Sequence, residues 1–418
     1  MSTRRRALHL RWLAARRAVA TAAWRVLMRI VPTAPVALVA GLPDTEENSL
    51  VTAVRVAQRS RGSVVLVAGD PARGRAALDR VATALGAEPA ATRVRVVAKR
   101  APRTAWLFVR AELVLYTHGL FDSPRPVGRR LHVNLWHGTG PKWSGNANVS
   151  QRIGAQVLST ASPIWGSATA RALSMRDATL VPGNARQDLL GTGPRDVAGL
   201  LGLDPGRPLV LWMPTFRRAE RAGSVGLSEG ADLADDELAG DLPSLAAAAG
   251  VQLVVKPHRS DSARYEALGL AVLDDATIAA AGVTLTQVMG AAHGMLSDYS
   301  SAWVDFFATG APIALYCPDL DAYVRDRGLN DPPLGQVAAG LMLRTGGDAQ
   351  AFFASVAEGA QYAPAARDAL LHALAMDIGP GRADRMLDGV RDAALARLGT
   401  DVHLEPSADA QDRQATSS

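Results

Sequence analysis

LHVNLWHGTGPK at 131–142 reads as a short buried strand that runs straight into a loop. The apolar run is too short for a helix and stops at His137, Gly138, Thr139 and Gly140. Four runs of the same kind precede it: PVALVAG (35–41), SVVLVAG (63–69), TRVRVVAK (92–99) and ELVLYTHG (112–119). Helical patterns fill the gaps, for example 47–60 and 71–86. Strand–helix alternation of this kind implies a parallel, doubly wound sheet. The first turn lacks G-x-G-x-x-G, so no dinucleotide fingerprint is present.

A second series follows GTGPRDVAGLLGLDPGRP (191–208). PLVLWMP (208–214), VQLVVKP (251–257), AHGMLSD (292–298) and PIALYCP (312–318) read as strands, with AVLDD (271–275) as a shorter one. The Gly- and Asp-rich loop 219–241 is long enough for a mobile lid or a disordered insertion. Residues 348–398 look helical. The division this implies is a basic helix over 1–31, a first domain over 32–190, a linker over 191–207, a second domain over 208–398 and a polar, disordered tail over 399–418. Two such domains facing each other leave a cleft between their strand ends, where open α/β sheets gather ligands.

Composition narrows the chemistry. The 418 residues are 48% hydrophobic, enough for two cores, and contain one cysteine, Cys317, so no intrachain disulfide forms and a reducing compartment is expected. The net charge of +5 is uneven. The first thirty residues hold Arg4, Arg5, Arg6, Arg11, Arg16, Arg17, Arg25 and Arg29 and no acid. Leu8, Trp12, Ala15, Val19, Ala23, Val26 and Ile30 fall on one helical stripe there, with Trp24 off it. Arginines interrupt the segment too often for a bilayer span. A helix lying on an anionic membrane surface is the expectation. No basic–aromatic interleaving, zinc finger or RNA-binding signature points to nucleic acid.

Candidate site residues sit where strands end. His137 has the residue type and position of a general base. Gly138 and Thr139 offer close backbone approach to phosphate, and Lys142 adds a cation. The Walker spacing is not met. Arg217, after LVLWMP, suits a phosphate fork, while Arg218 reads as surface. Lys256 and His258 flank Pro257 at the end of QLVV, where His258 can donate to a phosphoryl or leaving oxygen. Ser300 and Ser301 open a helix after Asp298, which is both an ordinary cap and a phosphate-binding geometry. His118 is the one other histidine at a strand end, and reads with the rest as structural. D-L-D at 319–321 is a three-residue match common by chance. No metal and no cofactor are expected.

In this order, WHGTGPK, LSTASPIW, PGNARQD, PTFRR, KPH and SDYSS, the chain resembles the CDP-glycerol glycerophosphotransferase family of teichoic-acid-type polymer synthesis. PIALYCPDLDAYVRDRGL (312–329) is also similar to that family. The resemblance spans roughly residues 110–335. It implies a GT-B-like pair of Rossmann-type domains and transfer of glycerol phosphate from CDP-glycerol to an acceptor hydroxyl, with release of CMP. The acceptor it implies is a polyprenyl-linked primer or a growing polymer, met at the cytoplasmic face of the membrane. It also implies a base-like His137, a diphosphate gripped by Arg217, His258, Ser300 and Ser301, and support from Asp298 and Arg186. Three departures bear on the donor polyol, CDP-ribitol being an alternative. Gly140-Pro141 stands for Pro-Leu, Ala185 for a proline, and Arg259 for the second proline after K-P-H. A nucleotide-sugar glycosyltransferase of the same architecture is the other reading.

Overall fold

The computed structural model describes residues 3–144, 153–175, 177–215, 236–257 and 261–416; for residues 3–11, 13–14 and 413–416 it describes the backbone alone. Two parallel sheets organise it. The first holds β1 (Ala34–Ala40), β2 (Ser63–Ala68), β3 (Val94–Ala98), β4 (Ala111–Tyr116), β5 (Leu131–Asn134), β6 (Val157–Thr160) and β7 (Thr179–Pro182), in the order β3-β2-β1-β4-β5-β6-β7. The second holds β8 (Leu209–Met213), β9 (Gln252–Val255), β10 (Ala271–Val272), β11 (Gly294–Ser297) and β12 (Ile313–Leu315), in the order β10-β9-β8-β11-β12. The strand direction of the winding reverses between β1 and β4 in one sheet and between β8 and β11 in the other. Loops leaving those strands therefore open onto the ligand crevice.

The five expected strands of the first sheet are present, and two more, β6 and β7, extend it. Both are four residues long with a threonine and a proline among them, too short to show a period. Strands β4, β5 and β6 are buried at every position, because helices cover both faces.

The carboxy-terminal helices divide between the domains. Helix Arg382–Leu398 packs Met386, Leu387 and Val390 into the core of the first sheet, alongside Val39 and Leu115. The expected second domain over 208–398 therefore loses its last helix to the first domain. The tail also differs from the expected disorder. Leu404 bridges Ser60, and Ser407 donates to Asp388 at 2.5 Å, before a final helix Ala408–Thr416. Val402 and Leu404 are buried, and that apolar contact is what residues 399–407 contribute beyond their polar composition.

The first helix runs Thr3–Ile30. Its last turns are docked by residues outside the expected stripe. Trp24 stacks edge-on against Phe108 at 5.5 Å and tilts against Phe121 at 5.1 Å, and Met28 is 1% exposed. Buried Arg130 donates to Met28 O at 2.7 Å and to Val31 O, satisfying carbonyls that a helix end leaves without partners. The stripe itself faces outward: Val19 is 71% and Ile30 73% exposed. Among the described residues no helix is long and apolar enough to cross a membrane.

Candidate active site

The cleft between the two sheets holds a cavity of about 280 Å³, walled by Glu46, Glu47, His137 and Arg186 from the first domain and by Thr286, Ser300, Ser301 and Asp305 from the second. His137 leaves β5 through Trp136, whose φ of 51° lies in the left-handed region. A bulky aromatic rarely adopts that conformation, and such strain concentrates at functional sites. Asn134 Oδ1 accepts the Trp136 N–H at 2.7 Å and holds the turn.

The His137 ring is stacked. Its centroid lies 4.5 Å from that of His118 at 12° and 4.1 Å from that of Trp136. Thr117 Oγ1 is 3.0 Å from His118 Nδ1 and orients the second ring. Burial, then the nearby His118, Arg186 and Lys142, hold the His137 imidazole well below its usual range. Burial and Lys99 do the same to His118. Both residues keep solvent-exposed surface, so solvent tempers the shift. The direction keeps His137 neutral at pH 7, the form a general base needs. His118 escaped sequence reasoning because its partner lies on another strand.

Gly138 and Gly140 are there because Ser301 lies against them. A Cβ on Gly138 would stand 2.5 Å from Ser301 Oγ, and one on Gly140 would stand 2.9 Å from Ser301 Cβ. Gly138 also has φ 134°. The departure at Gly140-Pro141 thus has a structural reason, completed by Asn330. That residue donates its N–H to Pro141 O at 2.7 Å and its amide to Gly140 O at 2.8 Å. The second domain in this way clamps the glycine loop of the first.

Arg186 joins the halves. Its Nε donates to Asp305 Oδ2 at 2.9 Å, its Nη2 bonds the same oxygen, and its Nη1 donates to His137 O at 3.2 Å. Glu46 lies 3.7 Å from it. Burial opposes the guanidinium charge, but Asp305, Glu46 and Glu47 outweigh it. Burial pushes the Glu46 carboxyl up to about 7, while Arg186 and the Ser49 and Asn48 N–H groups draw it down. Asp305 and the two glutamates carry no motif readable in one chain, and were missed for that reason.

Ser300 and Ser301 line the cavity at the start of helix Ala302–Phe306. Asp298 shapes that turn. It accepts Thr215 N–H at 2.9 Å, Thr215 Oγ1–H at 2.7 Å and Ser300 N–H at 3.1 Å, tying the ends of β8 and β11 together.

Three residues expected at phosphate have partners of their own in the structure. Thr139 turns inward: its Oγ1 is 3.0 Å from Thr160 Oγ1 and accepts Ala161 N–H at 2.9 Å. Lys256 forms an ion pair with Asp275 at 2.9 Å. Lys142 pairs its backbone with Leu329 and is not in the cavity wall. Arg217, Arg218, His258, Arg259 and most of the 219–241 loop lie outside the described residues. Among the described residues no three His, Cys, Asp or Glu side chains group as metal ligands, and Asp319 instead accepts the Tyr299 hydroxyl at 2.9 Å.

Two Rossmann-type domains with their strand-end loops meeting over one cleft make a GT-B-type fold. Residues 81–373 match the family described as CDP-Glycerol:Poly(glycerophosphate) glycerophosphotransferase, and the chain belongs to that family. It is therefore an enzyme that transfers glycerol phosphate from CDP-glycerol. Among solved structures it is similar to the wall teichoic acid polymerase TagF. The TM-score is 0.60 at 12% identity, with 94% of this chain and 97% of that one covered. A TagF H444N variant soaked with CDPG gives 0.57 at 13% identity over 96% and 97%. A putative UDP-N-acetylglucosamine 2-epimerase from Listeria monocytogenes gives 0.50 at 11% identity over 89% and 99%. No curated protein matches the sequence.

Proposed function

We propose that His137 is the general base and that the transfer occurs in the cavity between it and Ser300–Ser301. An acceptor hydroxyl gives its proton to the His137 imidazole as its oxygen bonds the β-phosphorus of CDP-glycerol. The bond from that phosphorus to the bridging oxygen breaks, and CMP leaves with the electron pair. The observation that carries this reading is the opposition of His137 and Ser301 across Gly138, with Arg186 bonded to the loop of one and the helix of the other. Such a transfer depends mainly on positioning and on stabilising phosphoryl charge. Arg217 and His258 are proposed to supply further positive hydrogen-bond donors to the diphosphate.

The proposed acceptor is a hydroxyl of a lipid-linked primer or a growing polymer, met at the inner face of the membrane. Support comes from the first helix. Its docked side is Trp24 and Met28, and its outward side carries Trp12, Val19, Val26 and Ile30 among arginines. The neighbouring helix Pro102–Arg110 adds an exposed pair of the same chemistry, Trp106 at 53% with Arg110 5.8 Å over its ring. Apolar side chains flanked by cations suit an anionic interface.

The test is nucleotide release. The purified protein is incubated with CDP-glycerol, CDP-ribitol and nucleotide sugars, with and without EDTA. CMP from CDP-glycerol, undiminished by the chelator, is expected. Release of a nucleoside diphosphate from a nucleotide sugar instead, or a metal requirement, would overturn the reading.

A further inference from the structure

Glu47 opens the helix Glu47–Arg59, yet its carboxylate serves another domain. It accepts Leu285 N–H at 3.0 Å, Thr286 N–H at 3.2 Å and the Thr286 hydroxyl. An acid in a first helical turn ordinarily serves its own free N–H groups. Glu46 does that here, accepting Asn48 N–H at 3.2 Å and Ser49 N–H at 2.9 Å. Glu47 is thereby left for the helix Leu285–Ala291 across the cleft.

That helix has two donors to spare. Thr284 and Gln287 form a capping box in which Thr284 Oγ1 accepts Gln287 N–H at 3.1 Å and Gln287 Oε1 accepts Thr284 N–H at 2.9 Å. The N–H groups of Leu285 and Thr286 are the ones the box leaves over. Glu47 takes both. The helix start is thus completed only when the domains stand as they do here. Leu285 and Thr286 also form part of the cavity wall opposite His137. Glu46 and Arg186 are the charged groups that face Glu47; burial pushes its carboxyl above the usual range, and the Thr286 hydroxyl and then Arg186 oppose that.

We infer that Glu47 is a positioning residue, a carboxylate latch that fixes the second domain's cavity wall relative to His137. The inference rests on the reading of that cavity as the site of transfer. Other contacts join the domains near the cavity, among them Arg186 and Asn184 with Asp305 and Asn330 with the glycine loop, and these bear on the motif loops themselves. The hydrogen bonds of the Glu47 carboxylate all go to the start of helix Leu285–Ala291, so removing them loosens that wall relative to His137.

The experiment uses the full chain as wild type, Glu47→Ala, Glu47→Gln, Thr286→Val and the Glu47→Ala/Thr286→Val double variant. Amide hydrogen exchange is followed across 284–291, with 294–315 as an internal control, and turnover of CDP-glycerol is measured in parallel. Glu47→Ala is expected to speed exchange at Leu285 and Thr286 by about 10-fold or more with the control segment unchanged. It should lower kcat/KM by roughly 10–100-fold, the scale of loss that misplacement of a reacting pair brings. Glu47→Gln should fall between, because one amide oxygen remains to accept. Thr286→Val should add little in the Glu47→Ala background. Unchanged exchange at 285–286 would overturn the latch. Faster exchange with wild-type turnover would overturn the positioning role. If Glu47→Ala fails to fold, Glu47→Gln carries the same comparison. Absence of CDP-glycerol turnover by the wild type would sink the functional reading instead, while the exchange data would still decide the latch.

Discussion

The imidazoles of His118 and His137 lie parallel, centroids 4.5 Å apart, at the ends of adjacent strands β4 and β5. Two stacked imidazoles resist charging together, and Arg186 and Lys142 add to that resistance.

His137 should therefore titrate below the ordinary imidazole value of about 6.5. A base works deprotonated, so kcat/KM should stay level as pH falls through 6.5 and drop only further down. His137→Ala should cost about 10²–10⁴-fold in turnover with donor affinity kept. A pH profile of kcat/KM together with calorimetric titration of CDP-glycerol checks both. An acid limb centred at or above 6.5, or wild-type turnover by His137→Ala, would contradict the assignment.

Arg186→Ala should destabilise the fold and the site together. Asp305 is 1% exposed and would lose a buried guanidinium partner, a change worth about 3–5 kcal/mol. Urea unfolding should register it as a lower midpoint. Arg186→Lys should recover only part, since an ammonium cannot replace the fork that reaches Asp305 and His137 O at once. Full recovery by lysine would show that charge alone matters.

Two glycines give a matched contrast. Gly138→Ala places a Cβ 2.5 Å from Ser301 Oγ at a φ of 134°, and should depress turnover severely. Gly240 lies within the helix Glu237–Ala248 with no neighbouring atom within 4 Å of an added Cβ. Gly240→Ala should stabilise by about 0.5–1 kcal/mol and leave kinetics unchanged. Kinetics and thermal melts on the pair separate local clash from a general intolerance of glycine replacement.

Truncation of the first helix should stop short of its docked end. Removing residues 1–20 keeps Trp24 and Met28 on Phe108 and Arg130, so the enzyme should remain folded and active on a soluble acceptor. Co-sedimentation with anionic vesicles should fall, and that of the full chain should weaken with salt. Removing residues 1–31 should cost solubility as well, because it uncovers Phe108. Equal vesicle binding with and without residues 1–20 would rule out this segment as the membrane contact.

The sequence alone determined the alternation of strands and helices, and it located the loops that bear His137 and Ser300–Ser301. Those features are local: β-branched runs of four to seven residues ending in glycine or histidine announce themselves without a partner. It also marked the basic first helix, but not which side docks, since Trp24 and Met28 are chosen by the shape of the pocket around Phe108. Only the tertiary structure decided the rest of the site. His118, Glu46, Glu47, Asp305 and Asn330 act across strand or domain boundaries, and a contact between Glu47 and Thr286 spans 239 residues of chain. The inward turn of Thr139 and the pairing of Lys256 with Asp275 were equally hidden. Residue type tells what a side chain can bond; the fold fixes which partner stands within 3 Å of it, and a polar group removed from water takes that partner.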